Sequence, residues 1–158
     1  MSALAPELRA RFDAVRARYP AEMRPSLVLP LLHCMQEANG YVTRDDAVLI
    51  AEYIGVPAMQ VVEALEWYSM FERAPQGRYV IKVCRNISCA LRGAEELIDD
   101  LRRRLGVEVG GTTPDGRFTL RTVECLASCG TAPVMQVNET YHERLDAGRV
   151  EEILGSLA

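Results

Sequence analysis

The sequence predicts an α+β chain: an N-terminal helical bundle over residues 1–74, then a smaller mixed domain over residues 75–158. Three observations predict it. Up to residue 74 the apolar residues recur at helical spacing, in runs broken by Gly and Pro. From Tyr79 the period shortens to two in "RYVIKVC" and again in "RFTLRTVEC", both rich in Val, Thr and aromatic residues. Helical patterns return only between those two runs and at the end of the chain.

The elements follow in order. Leu4, Leu8, Phe12 and Val15 form a first helical stripe that ends at Tyr19-Pro20. Ser26 is the predicted cap of "LVLPLLHCMQEANG", with Leu27, Leu31, Cys34, Met35 and Ala38 as its stripe and Asn39-Gly40 as its stop. Pro30 falls early enough in that helix for its missing N–H to be tolerated. Thr43, with Asp45 and Asp46 behind it, starts "DDAVLIAEYI", and Gly55 ends it. Pro57 opens "PAMQVVEALEWYSMF" at a first-turn position. "RAPQG", Arg73 to Gly77, reads as the linker. Between the two strands, "GAEELIDDLRRRLG" places acids early and arginines late, matching the helix dipole. "TTPDGRF" is a turn. "APVMQV" and "ETYHERL" form a hairpin around Asn138-Glu139, and Asp146 caps a closing helix. Strand, helix, strand, hairpin, helix is the order of a small sandwich of the thioredoxin type.

Composition narrows the function classes. Apolar residues make up 49% of the 158, enough to bury a real core. The net charge of −4 argues against a nucleic-acid or anionic-membrane surface. "DDAVLIAEYIGVPAMQVVEALEWY" has the outline of a helix-turn-helix. Its second helix has Glu63 and Glu66 but no basic residue before Arg73, so phosphate attraction is missing and a packing module is the better reading. No run of eighteen apolar residues exists, so direct membrane insertion is not expected. "MSALAPELRARFDAVRARYP" lacks the apolar core of a secretory signal, which points to the cytoplasm.

Four of the five cysteines fall in two close pairs, Cys84 with Cys89 in "VCRNISC" and Cys125 with Cys129 in "VECLASCGTAPVMQVN". In a reducing compartment such pairs favour metal or redox chemistry over a disulfide framework. Structural zinc prefers tighter knuckles, often with His, and the only histidines, His33 and His142, lie outside both loops. A [2Fe–2S] cluster takes four thiolates, two on each iron, and two pairs on loops after strands meet that demand. A catalytic dithiol would want C-x-x-C, which is absent. Spacing alone leaves iron–sulfur, zinc and dithiol readings open, in that order. "RNIS" and "LAS" can turn N–H groups on sulfur, and Arg85 and Arg92 are nearby cations. Cys34 reads as a small buried hydrophobe. His33 and His142 read as surface or packing residues, and Trp67, Tyr68, Met70 and Phe71 as either core or a docking face. A cis Ala132–Pro133 bond is expected from the place of Pro133 before a strand in this fold.

"VCRNISCALRGAEEL", "TPDGRF" and "VECLASCGTAPVMQVN" together resemble the small [2Fe–2S] subunit of the NADH-oxidising module of respiratory complex I. Related subunits serve NAD-dependent formate dehydrogenases and hydrogenases. The resemblance covers nearly the whole chain, including "NGYVTRDDAVLIAEYIGVPAMQVVEALEWYSMF". It implies a thioredoxin-like ferredoxin domain behind a helical bundle, with Cys84, Cys89, Cys125 and Cys129 as ligands of one [2Fe–2S] cluster. It also implies docking onto a larger subunit that carries FMN and NADH, with the cluster beside the flavin and off the main electron chain. Further complex I subunits and a peripheral place on the cytoplasmic side of the inner membrane follow from it. The host enzyme would be an NADH:quinone oxidoreductase, with a soluble formate dehydrogenase or hydrogenase as the alternative host. A zinc-stabilised interaction module is the alternative of another class. Where the family commonly has Gly, this chain has Ala64 and Ala127, and Trp67 replaces a usual Phe. No phosphate loop, Rossmann fingerprint or catalytic triad is visible, so no NADH or flavin site is expected on this chain alone.

Overall fold

The computed structural model describes residues 4–157; residues 1–3 and 158, the outer ends of the two predicted domains, lie outside it. The chain divides between Pro75 and Gln76 into two compact units.

The first unit is helical. Helix α1 (Pro6–Arg16) has Pro at its first position, Glu7 in its first turn and Arg16 in its last, and it buries Leu8 and Phe12. Helix α2 (Val28–Asn39) buries Val28, Leu31, Leu32 and Met35. The predicted Ser26 cap is not used. A 3-10 turn over Arg24–Leu27 leads straight into α2, and Leu27 takes the cap position without a side-chain bond. Ala38 is exposed rather than on the buried stripe, because it lies past the last inward turn. Gly40 ends α2 at φ 81, the left-handed region that favours glycine. Helix α3 (Arg44–Ile54) carries a full capping box: Thr43 Oγ1 accepts from Asp46 N–H at 3.1 Å, and Asp46 Oδ2 accepts from Thr43 N–H at 2.8 Å. Helix α4 (Ala58–Trp67) begins one residue later than expected, with Pro57 as its cap, and ends four residues earlier. Beyond it the chain folds back over α2, where Glu72 N–H donates to Gln36 Oε1 at 2.7 Å. That return buries Phe71 against the core formed by Phe12, Leu31, Met35, Ile50 and Leu65.

The second unit is a four-stranded sheet in the order β2-β1-β3-β4 with helices packed on it. Strand β1 (Tyr79–Cys84) leads into α5 (Ile87–Ala90), a single turn the sequence pattern did not predict. Helix α6 (Ala94–Leu105) then crosses to β2 (Phe118–Val123), parallel to β1. Strands β3 (Met135–Val137) and β4 (Thr140–His142) form the predicted hairpin, with Asn138 at φ 51 in the turn, and β3 pairs antiparallel with β1. Helix α7 (Ala147–Ser156) starts at Asp146, whose carboxylate accepts from Arg149 N–H at 2.8 Å. The register sets Ile81 between Leu120 and Val137, and Val83 beside Met135, on one face. That face is buried against Leu97, Ile98 and Leu101 of α6 and Val150 and Ile153 of α7. Gly77 is already part of this unit. Its N–H donates to the buried Thr119 hydroxyl at 2.7 Å, and an added Cβ would lie 2.8 Å from the Phe118 backbone. The Ala132–Pro133 bond is cis, as expected.

Candidate metal centre

Both parallel strands run to the candidate centre. Strand β1 ends in Cys84 itself, and β2 passes through Glu124 to Cys125. Cys84 stands beside Val123 in the register, so the two loops leave the sheet as neighbours. The first loop turns into α5, which carries Cys89; the Asn86 side chain accepts from Ile87 N–H at 2.8 Å and fixes that turn. The second loop reaches a 3-10 turn over Cys129–Thr131.

The four predicted thiols are brought together. Cys84 has Cys89 and Cys125 near enough to shift its thiol, Cys129 is near enough to Cys89 for charge on one to bear on the other, and Cys84 Sγ lies 3.9 Å from Glu124 O. Their surroundings differ. Cys84 and Cys89 are 3% and 2% exposed, in a buried layer with Ala94, Leu126 and Val134. Cys125 and Cys129 face solvent. All four are free thiols.

The backbone supplies donors to sulfur. Ala127 N–H donates to Cys125 Sγ at 3.2 Å. Ala127 adopts φ 57, a left-handed angle that costs an L-residue roughly 1–2 kcal/mol. The glycine-type loop shape is therefore kept with alanine in place. Burial raises the Cys84 thiol pKa, but N–H groups of Asn86 and Leu126 and the thiols of Cys89 and Cys125 outweigh it, and the net shift is downward. Burial pushes Cys89 up to about 11, with its bond to Cys84 adding to the rise, against a Val134 N–H that favours its thiolate. A bound cation would favour the thiolate form of both cysteines and take up their charge.

This donor set fits a [2Fe–2S] cluster. Four soft sulfurs converge, and backbone N–H groups are aimed at Cys84, Cys89 and Cys125. Among the described residues no three His, Cys, Asp or Glu side chains gather about one point as a single metal ion would need. A binuclear cluster asks instead for two sulfurs on each iron.

The other predicted residues take their places elsewhere. Cys34 is half-buried against the helical core, not fully buried. His33 packs on Phe71, ring centroids 5.0 Å apart, and His142 ends β4. Arg85 is not a free cation: its guanidinium holds Glu124 Oε1 at 2.9 Å. The undecided aromatic run resolves by position, with Phe71 4% exposed and Trp67 84%. Sequence reasoning missed Val134, whose N–H serves Cys89, and Glu143, whose carboxylate binds Ser128 and Thr131 on either side of Cys129.

Several known proteins resemble this chain. A sequence model of the thioredoxin-like [2Fe–2S] ferredoxin family matches residues 12–158. A subunit of the NADH-quinone oxidoreductase of Rhizobium meliloti is 42% identical over 149 residues, spanning 94% of this chain and 88% of that protein. A subunit of the NADH-quinone oxidoreductase of Thermus thermophilus is 42% identical over 142 residues, 89% of this chain and 78% of its own length. A chain of an NAD+-reducing [NiFe]-hydrogenase superposes with a TM-score of 0.70 at 21% identity, covering 83% of this chain and 22% of that one, a likeness of fold.

Proposed function

Because the chain belongs to the thioredoxin-like [2Fe–2S] ferredoxin family, we propose that it is an electron-transfer subunit of an NADH:quinone oxidoreductase, holding one [2Fe–2S] cluster on Cys84, Cys89, Cys125 and Cys129. The observation that carries this reading is the convergence of those four thiols at the ends of two neighbouring parallel strands. When bound, the cluster supplies reversible one-electron chemistry.

The chain's residues do the rest. Ligation removes the thiol protons, and the N–H groups of Asn86, Leu126, Ala127 and Val134 then hold the sulfur charge. Leu126, Val134 and Ala94 keep water from Cys84 and Cys89, while Cys125 and Cys129 stay at the surface. Electron exchange runs through a partner subunit carrying FMN and NADH. Among the described residues no helix is long and apolar enough to cross a membrane. The place this reading gives the chain is peripheral, on the cytoplasmic side, with the other subunits of the complex.

A redox titration tests this function. Purified protein takes up one electron per chain. Arg85→Ala lowers the reduction potential, because it removes a cation and leaves Glu124 uncompensated beside Cys125. Glu124→Gln raises it. Both groups are exposed, so both shifts shrink as salt is added. Potentials that move the opposite way contradict the charge argument, and a protein that accepts no electron contradicts the function.

The helical unit offers the anchor for the partner. Trp67, Met59, Met70 and Tyr68 are exposed along α4 and just beyond its end. Large aromatic side chains carry much of an interface's energy, on the order of 2 kcal/mol or more each. Trp67→Ala is expected to weaken co-purification with the flavin-bearing subunit by roughly 30-fold in affinity, with the isolated chain still folded and coloured. Undiminished capture would place the anchor elsewhere.

A further inference from the structure

We infer that Glu143 is a positioning residue for the bound cluster, acting through the loop that carries Cys129; this rests on the reading of the four cysteines as ligands.

Glu143 follows β4 directly and lies 14 residues beyond Cys129 in sequence. Its Oε1 nevertheless accepts from two hydroxyls of the ligand loop. Ser128 Oγ bonds to it, and Thr131 Oγ1 reaches it at 2.7 Å. Those hydroxyls are themselves 2.7 Å apart, and Thr131 Oγ1 also lies 3.1 Å from Ser128 O, so the carboxylate, which can only accept, closes a small hydrogen-bond network over the turn. Ser128 and Thr131 flank Cys129 on either side.

The contact belongs to a longer strap. Arg144 N–H donates to Thr131 O at 2.8 Å, and Leu145 N–H donates to Pro133 O at 3.2 Å. Arg144 takes φ 49, which turns the strap along the loop. Three successive residues thus tie down the stretch from Ser128 to Pro133. Of the three, Glu143 does so through its side chain, and, after the Ser128 and Thr131 bonds, the neighbouring Arg144 guanidinium helps to hold that carboxylate ionised. The loop needs such a tie, since Cys129 is exposed and has no buried layer around it as Cys84 and Cys89 have. Partners bonded directly to metal ligands orient them and cost roughly 10–100-fold in metal affinity when lost; Glu143 acts one step further out, through Ser128 and Thr131, so a smaller effect is expected.

The test uses the full-length holoprotein. Visible absorbance is followed in excess chelator, beside thermal unfolding by far-UV signal and the spin-resonance spectrum of the reduced form. Glu143→Ala is expected to bleach several-fold faster and to alter the reduced spectrum, with the unfolding temperature little changed. Glu143→Gln keeps the size but loses the charge, and is expected to bleach at an intermediate rate with a raised reduction potential. Ser128→Ala moves bleaching in the same direction by a smaller factor, and keeps the test open should Glu143→Ala fold poorly. Glu139→Ala, an exposed acid in the neighbouring hairpin turn, leaves bleaching unchanged. Native bleaching and native spectra in both Glu143 variants would overturn the inference. So would faster bleaching matched by an equal loss of fold stability with no spectral change. Zinc in the purified chain would overturn the redox reading instead, and zinc release to the chelator would then judge the Glu143 strap separately.

Discussion

Changing Cys89 to Ser is expected to leave a protein that cannot hold its cluster. Cys89 is almost fully buried, packed with Cys84, Ala94, Leu126 and Val134. A serine oxygen is harder and sits closer to the backbone than sulfur, so it suits iron–sulfur chemistry poorly. It also leaves a buried hydroxyl whose one backbone donor was placed for sulfur, at a cost of about 1–3 kcal/mol if unsatisfied. Loss of metal content should exceed the roughly tenfold that even an outer partner can cost. Cys34→Ser is the control. It lies in the helical core region and should retain full colour. Iron and sulfide at native levels in Cys89→Ser would remove Cys89 from the ligand set.

The second large effect is on the helical unit. Phe12 is fully buried in the helical core, with its ring edge-on to Tyr53 at 5.3 Å. Phe12→Ala removes that ring and leaves a cavity, a change that costs about 3–5 kcal/mol in a core that cannot collapse. Against a typical total of about 5–15 kcal/mol, this is a large fraction. Urea unfolding followed by far-UV signal should show the helical transition at clearly lower denaturant. Partner capture should fall with it, whereas Trp67→Ala should lower capture without moving the transition. A midpoint unchanged in Phe12→Ala would contradict the packing described for this unit.

Local chemistry was the legible part. Thr43 with Asp46, Gly40, Gly55 and Asp146 each announce a helix boundary through bonds or angles decided within four residues. The shift to period two at Tyr79 announced the sheet, because one face of β1 and β2 had to be apolar. Ser26 misled because a serine before an apolar run caps equally well in pattern, while the chain instead closed a 3-10 turn. The single turn α5 escaped because four residues are too few to show a helical period. Trp67 and Phe71 could not be told apart by type. Their burial depends on where the chain bends after α4, and Gln36, more than thirty residues away, sets that bend.

The candidate centre divides in the same way. The four cysteines were visible because their chemistry is rare and their spacing paired. The surroundings that tune them were not. Val134 reaches Cys89 from the far side of a cis peptide bond. Glu143 reaches Ser128 and Thr131 only after β3 and β4 have folded back. The Arg85–Glu124 pair joins loops 39 residues apart, and it makes one of the two predicted nearby cations half of a neutral pair.

The central claim is that Cys84, Cys89, Cys125 and Cys129 together hold one binuclear iron–sulfur cluster. Iron, zinc and acid-labile sulfide, measured on the full-length chain purified without oxygen, test it most directly. The account predicts about two irons and two sulfides per chain, from the cluster's stoichiometry, and no stoichiometric zinc. One zinc per chain with no sulfide would contradict it.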